Sequence, residues 1–421
     1  MATRGRFARD STSLLVGTIV NGLFAYVFFA LATRGLGTAT AAPVALLWTY
    51  WGMATAVITF PVQHWIIRTL HASGEDAVAA ALPRVTAMVG LIAVVAAGVA
   101  WLFDEQFFLR QGPVFPVLVG SVTLGSYFTG VVRGGLAGRA RFGATAIAMA
   151  GDNILRVVLA IAVLATGGGV VGFGVALVAG ALLGLVWPSG YRFGRGVGGG
   201  STSLSLFGAV AAGSLLGQLI LIGGPSALAL LGGTALQVTM LFATLALFRA
   251  PYLLALGVAN RVTGTLTDWV AAQHLGPIRR YQVAVAATTI AMSAVAALGA
   301  YAFGPAMVSA VFGSDAAPPG WAAAVVAAGN IYAVGNLALS LLVIADARGS
   351  LLTRAWMVAS VVVGVTLVAM FGFPLRAVAW AFLAGEAAAF AMLLWSGWSL
   401  ASSNAPDANA PSEVLEAPAL T

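Results

Sequence analysis

The residues that could do chemistry in this chain are few in kind. All 20 basic residues are arginines, which excludes Schiff-base chemistry on lysine. The chain has no cysteine, so thiol nucleophiles, disulfides and iron–sulfur clusters are excluded as well. Its three histidines, His64, His71 and His274, are too scattered in sequence to predict a metal site. We therefore expect no cofactor, and the remaining candidates are charged residues within apolar runs.

Four charged residues lie more than five residues from either end of a long apolar run, where a charge costs at least about 2.5–3.5 kcal/mol and predicts either pairing or a transport pathway. Asp152 and Arg156 are four residues apart, so they share a helix face and are predicted to form a structural ion pair. Arg249 has no carboxylate on the neighbouring turns of its own run. It either pairs with Glu386, in a later run, or faces an anion, which its planar guanidinium can bind through two oxygens.

Further candidates lie near the ends of apolar runs. His64 and Arg68 are four residues apart and share a helix face below Pro61. They are interpreted either as ordinary interfacial residues or as a site that captures an anionic group at the membrane surface. Arg34, at the other end of the first run, has the same two interpretations.

The elements that carry these residues are predicted to be membrane-spanning helices. The chain is 60% hydrophobic and 8% charged, whereas soluble proteins carry about 25% charged residues. A spanning helix needs about 20 mostly apolar residues, and the sequence contains twelve such runs. They are Ser13–Leu31, Ala42–Ile66, Ala81–Phe103, Val114–Val132, Ala144–Thr166, Val170–Trp187, Leu204–Gly223, Leu236–Val258, Val283–Phe303, Trp321–Ile344, Ala355–Phe373 and Val378–Trp398.

The runs divide into two predicted halves of six. The N-terminal half is residues 1–190, the linker 191–202 and the C-terminal half 203–400, followed by a tail, 401–421, predicted to be disordered. Gly-Thr-Ala follows both the first and the seventh run, and this register places Asn21 within one residue of Gln218. Six spans per half predict parallel repeats with a central cavity between them. Asn21 and Gln218 are then candidates for lining that cavity and contacting substrate.

The distribution of arginine predicts the orientation. Fifteen arginines, including Arg133, fall in segments on the side of the N-terminus, and only Arg34, Arg110 and Arg376 fall on the other side. Because cytoplasmic segments carry an excess of basic residues, both termini are predicted to face the cytoplasm.

Several segments resemble the polysaccharide-biosynthesis flippases of the MOP (MATE-like) superfamily, in the order in which that family has them. They are Leu15–Phe24 and Ala32–Gly37 in and after the first run, Arg133–Phe142 after the fourth, Asp152 with Arg156, Arg249–Pro251 and Phe312–Gly313. The resemblance implies a MATE-like fold of twelve helices in the bacterial inner (plasma) membrane. It also implies export of an oligosaccharide linked to a polyprenyl diphosphate, so that membrane lipids and the enzymes that make or polymerise the glycan would be partners.

We therefore predict a flippase that works by alternating access and is not an enzyme. Arg249 is predicted to bind the diphosphate, with Arg68, His64 and Arg34 as further contacts. The first alternative is a cation-coupled multidrug exporter of the same superfamily, which would need carboxylates facing the cavity; the first, second, seventh and eighth runs contain none in their apolar cores. A membrane glycosyltransferase or polymerase would need catalytic groups on an outer loop, and the outer loops are short. A structural role without transport remains a further alternative.

Overall fold

The computed structural model describes residues 2–194, 216–345 and 349–403, and all regular structure in these ranges is helical. The predicted all-α membrane fold is thereby confirmed. In the N-terminal part the helices are α1 (Ala2–Leu36), α2 (Ala42–Ala54), α3 (Phe60–Leu102), α4 (Asp104–Phe108), α5 (Val114–Gly138), α6 (Phe142–Thr166), α7 (Gly169–Leu182) and α8 (Pro188–Tyr191). In the C-terminal part they are α9 (Gly224–Leu230), α10 (Ala235–Phe248), α11 (Ala250–Ala271), α12 (Leu275–Phe312), α13 (Gly320–Ala345), α14 (Gly349–Ala369) and α15 (Pro374–Ser403).

The described ranges contain nine helices that are long and apolar enough to cross a membrane, or ten if the bent pair α10–α11 forms one span. The first predicted run corresponds to a shorter apolar helix, Val20–Leu36, within α1. Most of the seventh run lies outside the described residues, although residues 216–222 are helical. The predicted linker beyond residue 194 and the tail beyond residue 403 also lie outside them. The count of twelve and the two-half division therefore remain predictions.

Helices of the same predicted half pack mainly on one another. In the N-terminal half α3 packs on α5, and α1 packs on α6. In the C-terminal half α12 packs on α13, and α15 packs on α13 and α14. We call the end of the bundle that holds residues 36–42, 103–114 and 312–320 the distal end. The opposite end, which holds residues 139–142 and 271–275, is the proximal end.

The second and the eighth predicted spans are each interrupted next to a proline. A π-helical turn, Thr55–Thr59, separates α2 from α3 just before Pro61. In the other half α10 and α11 are bent by 43° at Arg249, two residues before Pro251. Proline has no N–H to donate and its ring crowds the carbonyl four residues earlier, which explains a break at both places. The break in the C-terminal half positions Arg249.

Candidate functional site

Arg249 lies at the bend between α10 and α11, where the two predicted halves meet. The Tyr26 hydroxyl on α1 donates a hydrogen bond of 2.6 Å to the carbonyl of Ala246, one turn before Arg249. The Arg249 guanidinium carbon lies 5.8 Å from the centre of the Tyr252 ring, and Tyr252 is hydrogen-bonded to Gln218. Gln218 therefore lies near Arg249, and its contact with a substrate stays a prediction.

The guanidinium of Arg249 is only partly engaged by the protein. Its Nε is buried without a hydrogen-bond partner, and none of the described residues forms an ion pair with it. The residue as a whole is half-buried, so part of its surface remains exposed. Arg249 therefore offers a cation beside two tyrosines, Tyr26 and Tyr252, that an anion can approach.

Glu386 is not the ion-pair partner of Arg249, contrary to the first of the two interpretations made from the sequence. It is completely buried on α15, and its Oε2 accepts a hydrogen bond of 2.7 Å from the Asn336 side chain on α13. The same Asn336 amide also donates to the backbone carbonyl of Glu386, at 2.9 Å. The carboxylate is thus held by its packing neighbour within the C-terminal bundle, while its Oε1 has no partner among the described atoms.

Aromatic rings close the distal end beside this site. The ring of Phe29 on α1 lies 4.3 Å from that of Phe242 on α10 and 5.6 Å from that of Phe312 on α12. All three side chains are buried, so they exclude water from the junction of the halves. We call these three residues the distal seal.

Arg34 reinforces the distal seal and does not face a substrate cavity. Its Nε donates a hydrogen bond of 3.0 Å to the carbonyl of Val311, and its Nη2 donates to the carbonyl of Ala310. These carbonyls lie in the last turn of α12, where the helix leaves them without a partner and the helix dipole favours a cation. Arg34 therefore caps a helix of the opposite half.

The predicted ion pair between Asp152 and Arg156 is wrong, because Asp152 is paired with another helix. Its Oδ2 lies 3.2 Å from Nη2 of Arg133 on α5, and both side chains are buried. Arg133 had been placed in a cytoplasmic segment by the sequence analysis, yet it lies within the bundle. The four-residue spacing predicted a shared face correctly, but a partner on a packed neighbour lies closer than the partner on the same helix.

Arg156 is held by neutral groups. It donates a hydrogen bond of 2.5 Å to Oδ1 of Asn153 and one of 3.0 Å to the carbonyl of Leu177. Its guanidinium carbon lies 4.1 Å from the centre of the Trp51 ring. Asn153 in turn donates a hydrogen bond of 3.0 Å to the backbone carbonyl of Asn21. Asn21 therefore joins a buried polar cluster inside the N-terminal half, and we call Asn21, Arg133, Asp152, Asn153 and Arg156 the N-terminal cluster.

His64 and Arg68 lie one turn apart on the exposed side of α3, towards the proximal end. Neither forms an ion pair or a hydrogen bond with a described side chain, and no such contact joins them to Arg249. They remain candidates for an entry site.

Tyr26, Tyr252 and Arg133 were not predicted from the sequence as members of these sites. A tyrosine in an apolar run carries no charge to attract notice, and Arg133 is only five residues from the end of its helix. Pro251 was the available signal for Tyr26, because the bend that it causes leaves room for a side chain from the other half to bond to the carbonyl of Ala246.

Comparisons with known proteins agree with this architecture. Residues 7–195 match the protein family described as "Polysaccharide biosynthesis protein". No curated protein sequence matches the chain. An inward-facing structure of a multidrug resistance MATE family transporter of the MOP superfamily aligns with a TM-score of 0.68 at 16% identity, over 93% of this chain and 98% of that one.

Two other solved structures show the same fold. The lipid II flippase MurJ in an inward closed conformation aligns with a TM-score of 0.63 at 15% identity, over 92% of this chain and 87% of that one. An outward-facing structure of a multidrug resistance MATE family transporter aligns with a TM-score of 0.57 at 15% identity, over 94% of this chain and 96% of that one. This chain is thus a multi-span helical membrane protein with the fold of the MATE transporters and of MurJ.

Proposed function

We propose that this protein flips a polyprenyl-diphosphate-linked oligosaccharide from the inner to the outer leaflet of the plasma membrane. The observation that carries the proposal is Arg249, a cation at the junction of the halves with no ion-pair partner among the described residues and with part of its surface open. The match of residues 7–195 to a polysaccharide biosynthesis family supports a glycan as the cargo.

The chemistry of the cargo explains why an arginine serves this transport. A diphosphate diester carries about two negative charges, and burying an ionised group in an apolar medium without partners costs far more than burying an amide. A guanidinium replaces part of the lost hydration through two parallel hydrogen bonds. The glycan meanwhile stays in water and the polyprenyl tail in lipid.

Transport then proceeds by alternating access, with the N-terminal half rocking against the C-terminal half. The distal seal and the cap of Arg34 on α12 hold the distal end closed, and the better alignment to the inward-facing than to the outward-facing MATE structure agrees with that state. The arginine distribution makes the proximal end cytoplasmic, so Arg249 is loaded from the cytoplasm. His64 and Arg68, near the proximal end, guide the diphosphate in.

The membrane potential supplies direction in this scheme. A guanidinium binds phosphate equally well from either side, so binding alone cannot drive export. Moving negative charge out of a cell with a negative interior releases about 2.3 kcal/mol per charge at 100 mV.

A cation-coupled multidrug exporter is the second candidate, and Glu386 favours it. A fully buried carboxylate with one unpartnered oxygen is the kind of group that exchanges a coupling ion or binds a cationic drug. The fold is shared by both activities and does not discriminate between them. In the flippase, Glu386 instead stabilises the C-terminal bundle through Asn336.

Flipping in liposomes tests the proposal. Purified protein is reconstituted with a fluorescent polyprenyl-diphosphate glycan, and its exposure to a membrane-impermeant reagent is followed over time. Arg249→Gln should lower the rate about 10- to 100-fold, since hydrogen bonds to charged groups contribute about 1.5–3 kcal/mol. Arg249→Lys keeps the positive charge but lacks the planar guanidinium that donates two parallel hydrogen bonds, so it should retain part of the flipping rate.

Arg84→Gln is the matched control, because Arg84 is an exposed arginine on α3. It should flip at the wild-type rate. If wild-type protein does not flip the lipid but extrudes a cationic dye, and Glu386→Gln abolishes that extrusion, the protein is the exporter and the flippase proposal is wrong.

A further inference from the structure

A polar stripe follows the exposed side of α3 near the proximal end. His64, Arg68 and His71 are spaced by four and three residues, so they lie on one face of the helix, and all three are exposed. From His64 to His71 the stripe extends about 10 Å along the helix axis. The proposed function uses His64 and Arg68 and leaves His71 without a role.

The stripe lies on the side of α3 that is turned away from α5. A Cβ at Gly134 of α5 would lie 2.9 Å from Cβ of Ile66, and one at Gly138 would lie 2.5 Å from Cδ1 of Leu70. Ile66 and Leu70 therefore mark the face of α3 that packs on α5. The three residues of the stripe are about half a helical turn away from that face, so α5 does not cover them.

The exposed face that carries the stripe differs from the exposed faces of other spans. The later part of α3 exposes Leu91 and Val94, and α12 exposes Val295 and Leu298, as expected of helices that contact lipid. A charge that faces hydrocarbon is costly. Arg68 and the histidines on either side of it are therefore expected to contact water and not lipid tails.

A hydrogen bond to the backbone fixes the ring of His71. Its Nδ1 lies 2.7 Å from the carbonyl oxygen of Ile67, and because a carbonyl only accepts, Nδ1 is the donor. In the neutral ring Nε2 then has no proton and cannot donate to an anion. Histidine gains its second ring proton between about pH 8 and pH 5. His71 can therefore bind an anion through Nε2 only in its charged form.

The charged residues packed around this part of α3 do not pair with the stripe. On the side of α5, Arg139 forms an ion pair of 2.8 Å with Glu75, and Arg133 is buried in the N-terminal cluster. Asp76, the carboxylate that follows Glu75, is half-buried. None of the ion pairs among the described residues includes His71 or the other two residues of the stripe.

We propose that His71 completes, with His64 and Arg68, a site that binds the diphosphate of the cargo when the two histidines are protonated. The inference rests on the proposed function and adds a residue and a pH dependence to its entry step. Protonation raises the charge of the stripe from +1 to +3. The protonated stripe can match the roughly two negative charges of a diphosphate diester with charge-assisted hydrogen bonds, whereas Arg68 alone leaves one of them unpaired.

Nuclear magnetic resonance on the full chain in detergent tests the binding site without transport. The chain has three histidines, so nitrogen-15 labelling of their rings gives three sets of signals. At about pH 6, inorganic pyrophosphate should shift the signals of His64 and His71 until they saturate, and at about pH 8 the shifts should be much smaller. His274, an exposed histidine between α11 and α12, is the control and should not shift. No shift at His71, or equal shifts of all three rings, would overturn the proposal.

Flipping in phosphatidylcholine liposomes tests what the site does. For the wild-type protein, the lipid concentration that gives half the maximal rate should fall between about pH 8 and pH 6. His71→Gln should raise that concentration at the lower pH by about two- to fivefold, the range expected of an exposed charged contact. The maximal rate should not change, because His71 acts on entry. His71→Lys carries a permanent charge and should depend less on pH, whereas His274→Gln should behave as the wild-type protein does.

The outcomes separate this inference from the proposed function. If the wild-type protein flips the lipid and His71→Gln has the same half-saturating concentration at both pH values, the inference is wrong and the flippase proposal stands. If pyrophosphate shifts His64 and His71 but the wild-type protein does not flip, the flippase proposal fails and the anion site stands. An anionic lipid headgroup offers the same chemistry, so the rates are also measured with phosphatidylglycerol added. A difference between the wild-type protein and His71→Gln that appeared only with phosphatidylglycerol would assign the stripe to headgroups and overturn its role in binding cargo.

Discussion

Arg156 and Arg249 are both arginines within apolar helices, but the two halves of the molecule hold them in opposite ways. Arg156 is completely buried and is surrounded by an amide, a backbone carbonyl and a tryptophan ring. Arg249 is half-buried at a helix bend, with an unpartnered Nε and one tyrosine ring nearby. An enclosed, solvated cation orders the helices around it, whereas an open and partly unsatisfied one is available to a ligand.

The buried carboxylates Asp152 and Glu386 also differ in whether they have a charged partner. Asp152 binds a cation on the neighbouring helix directly, at 3.2 Å, so removing either group strands the other. Glu386 is held by the neutral Asn336 and forms no ion pair with Arg249. Charge removal should therefore damage the fold in the N-terminal half and spare it at Arg249.

The largest expected effect is the loss of stability on breaking the pair of Asp152 and Arg133. Asp152→Asn leaves two buried cations without a carboxylate and should lower the free energy of unfolding by about 3–5 kcal/mol. Arg249→Gln strands no partner and should change it by less than about 1 kcal/mol. The two variants are compared by thermal unfolding in the same detergent.

A charge exchange sharpens this comparison. The double variant Asp152→Arg with Arg133→Asp should recover part of the stability that either single change loses, because the two groups are partners. The exchange Asp152→Arg with Arg156→Asp should recover less. If the second exchange recovered more than the first, Arg156 would be the true partner of Asp152.

A smaller effect is expected where α7 packs on Arg156. A Cβ at Gly180 would lie 2.5 Å from Nε and 2.6 Å from Cγ of Arg156, closer than carbon atoms approach in proteins. Gly180→Ala should therefore cost about 1–3 kcal/mol of stability through overpacking. Gly143→Ala, on α6 with open space around its Cα, is the matched control and should be neutral or slightly stabilising. Equal Tm values for the two variants would show that α7 can move away from Arg156 at no cost.

Much of the fold could be predicted from the sequence, because the thickness of a bilayer dictates helices of about 20 apolar residues. Pro61 and Pro251 also gave the physical reason for both helix breaks. The partner of each buried charge was harder to predict, because the cation that pairs with Asp152 comes from α5, 19 positions earlier in the chain. Spacing along one helix shows which residues share a face, but it does not show which neighbouring helix packs against that face.

Only part of the candidate site could be predicted, because spacing along one helix does not show which side chains of other helices approach it. Arg249 could be singled out, because an arginine in an apolar run without a local carboxylate is conspicuous. Tyr252 follows Arg249 by three residues and so lies on the same helix face, but Tyr26 comes from α1, which spacing within one run does not show. Arg34 was assigned to a possible anion site because its charge was visible in the sequence, whereas the helix end that it caps, 276 residues away, was not.

The smallest expected effect concerns Arg34, which bonds to the end of α12 and which we expect to favour the closed distal end. A cation at an exposed helix C-terminus contributes about 0.3–1 kcal/mol. Arg34→Gln should therefore raise the population with an open distal end by up to about fivefold, with little change in Tm.

The distance between the two sides of the distal end measures this population. The chain has no cysteine, so Thr40→Cys with Asp315→Cys gives one pair of exposed labelling sites, on opposite predicted halves, for distance measurement by electron spin resonance. Arg110→Gln is the control, because Arg110 is also exposed at the distal end but pairs with Glu105 of its own half, at 2.7 Å. If Arg110→Gln shifted the distances as much as Arg34→Gln, the shift would reflect loss of distal charge, and the cap on α12 would not be what holds the halves together.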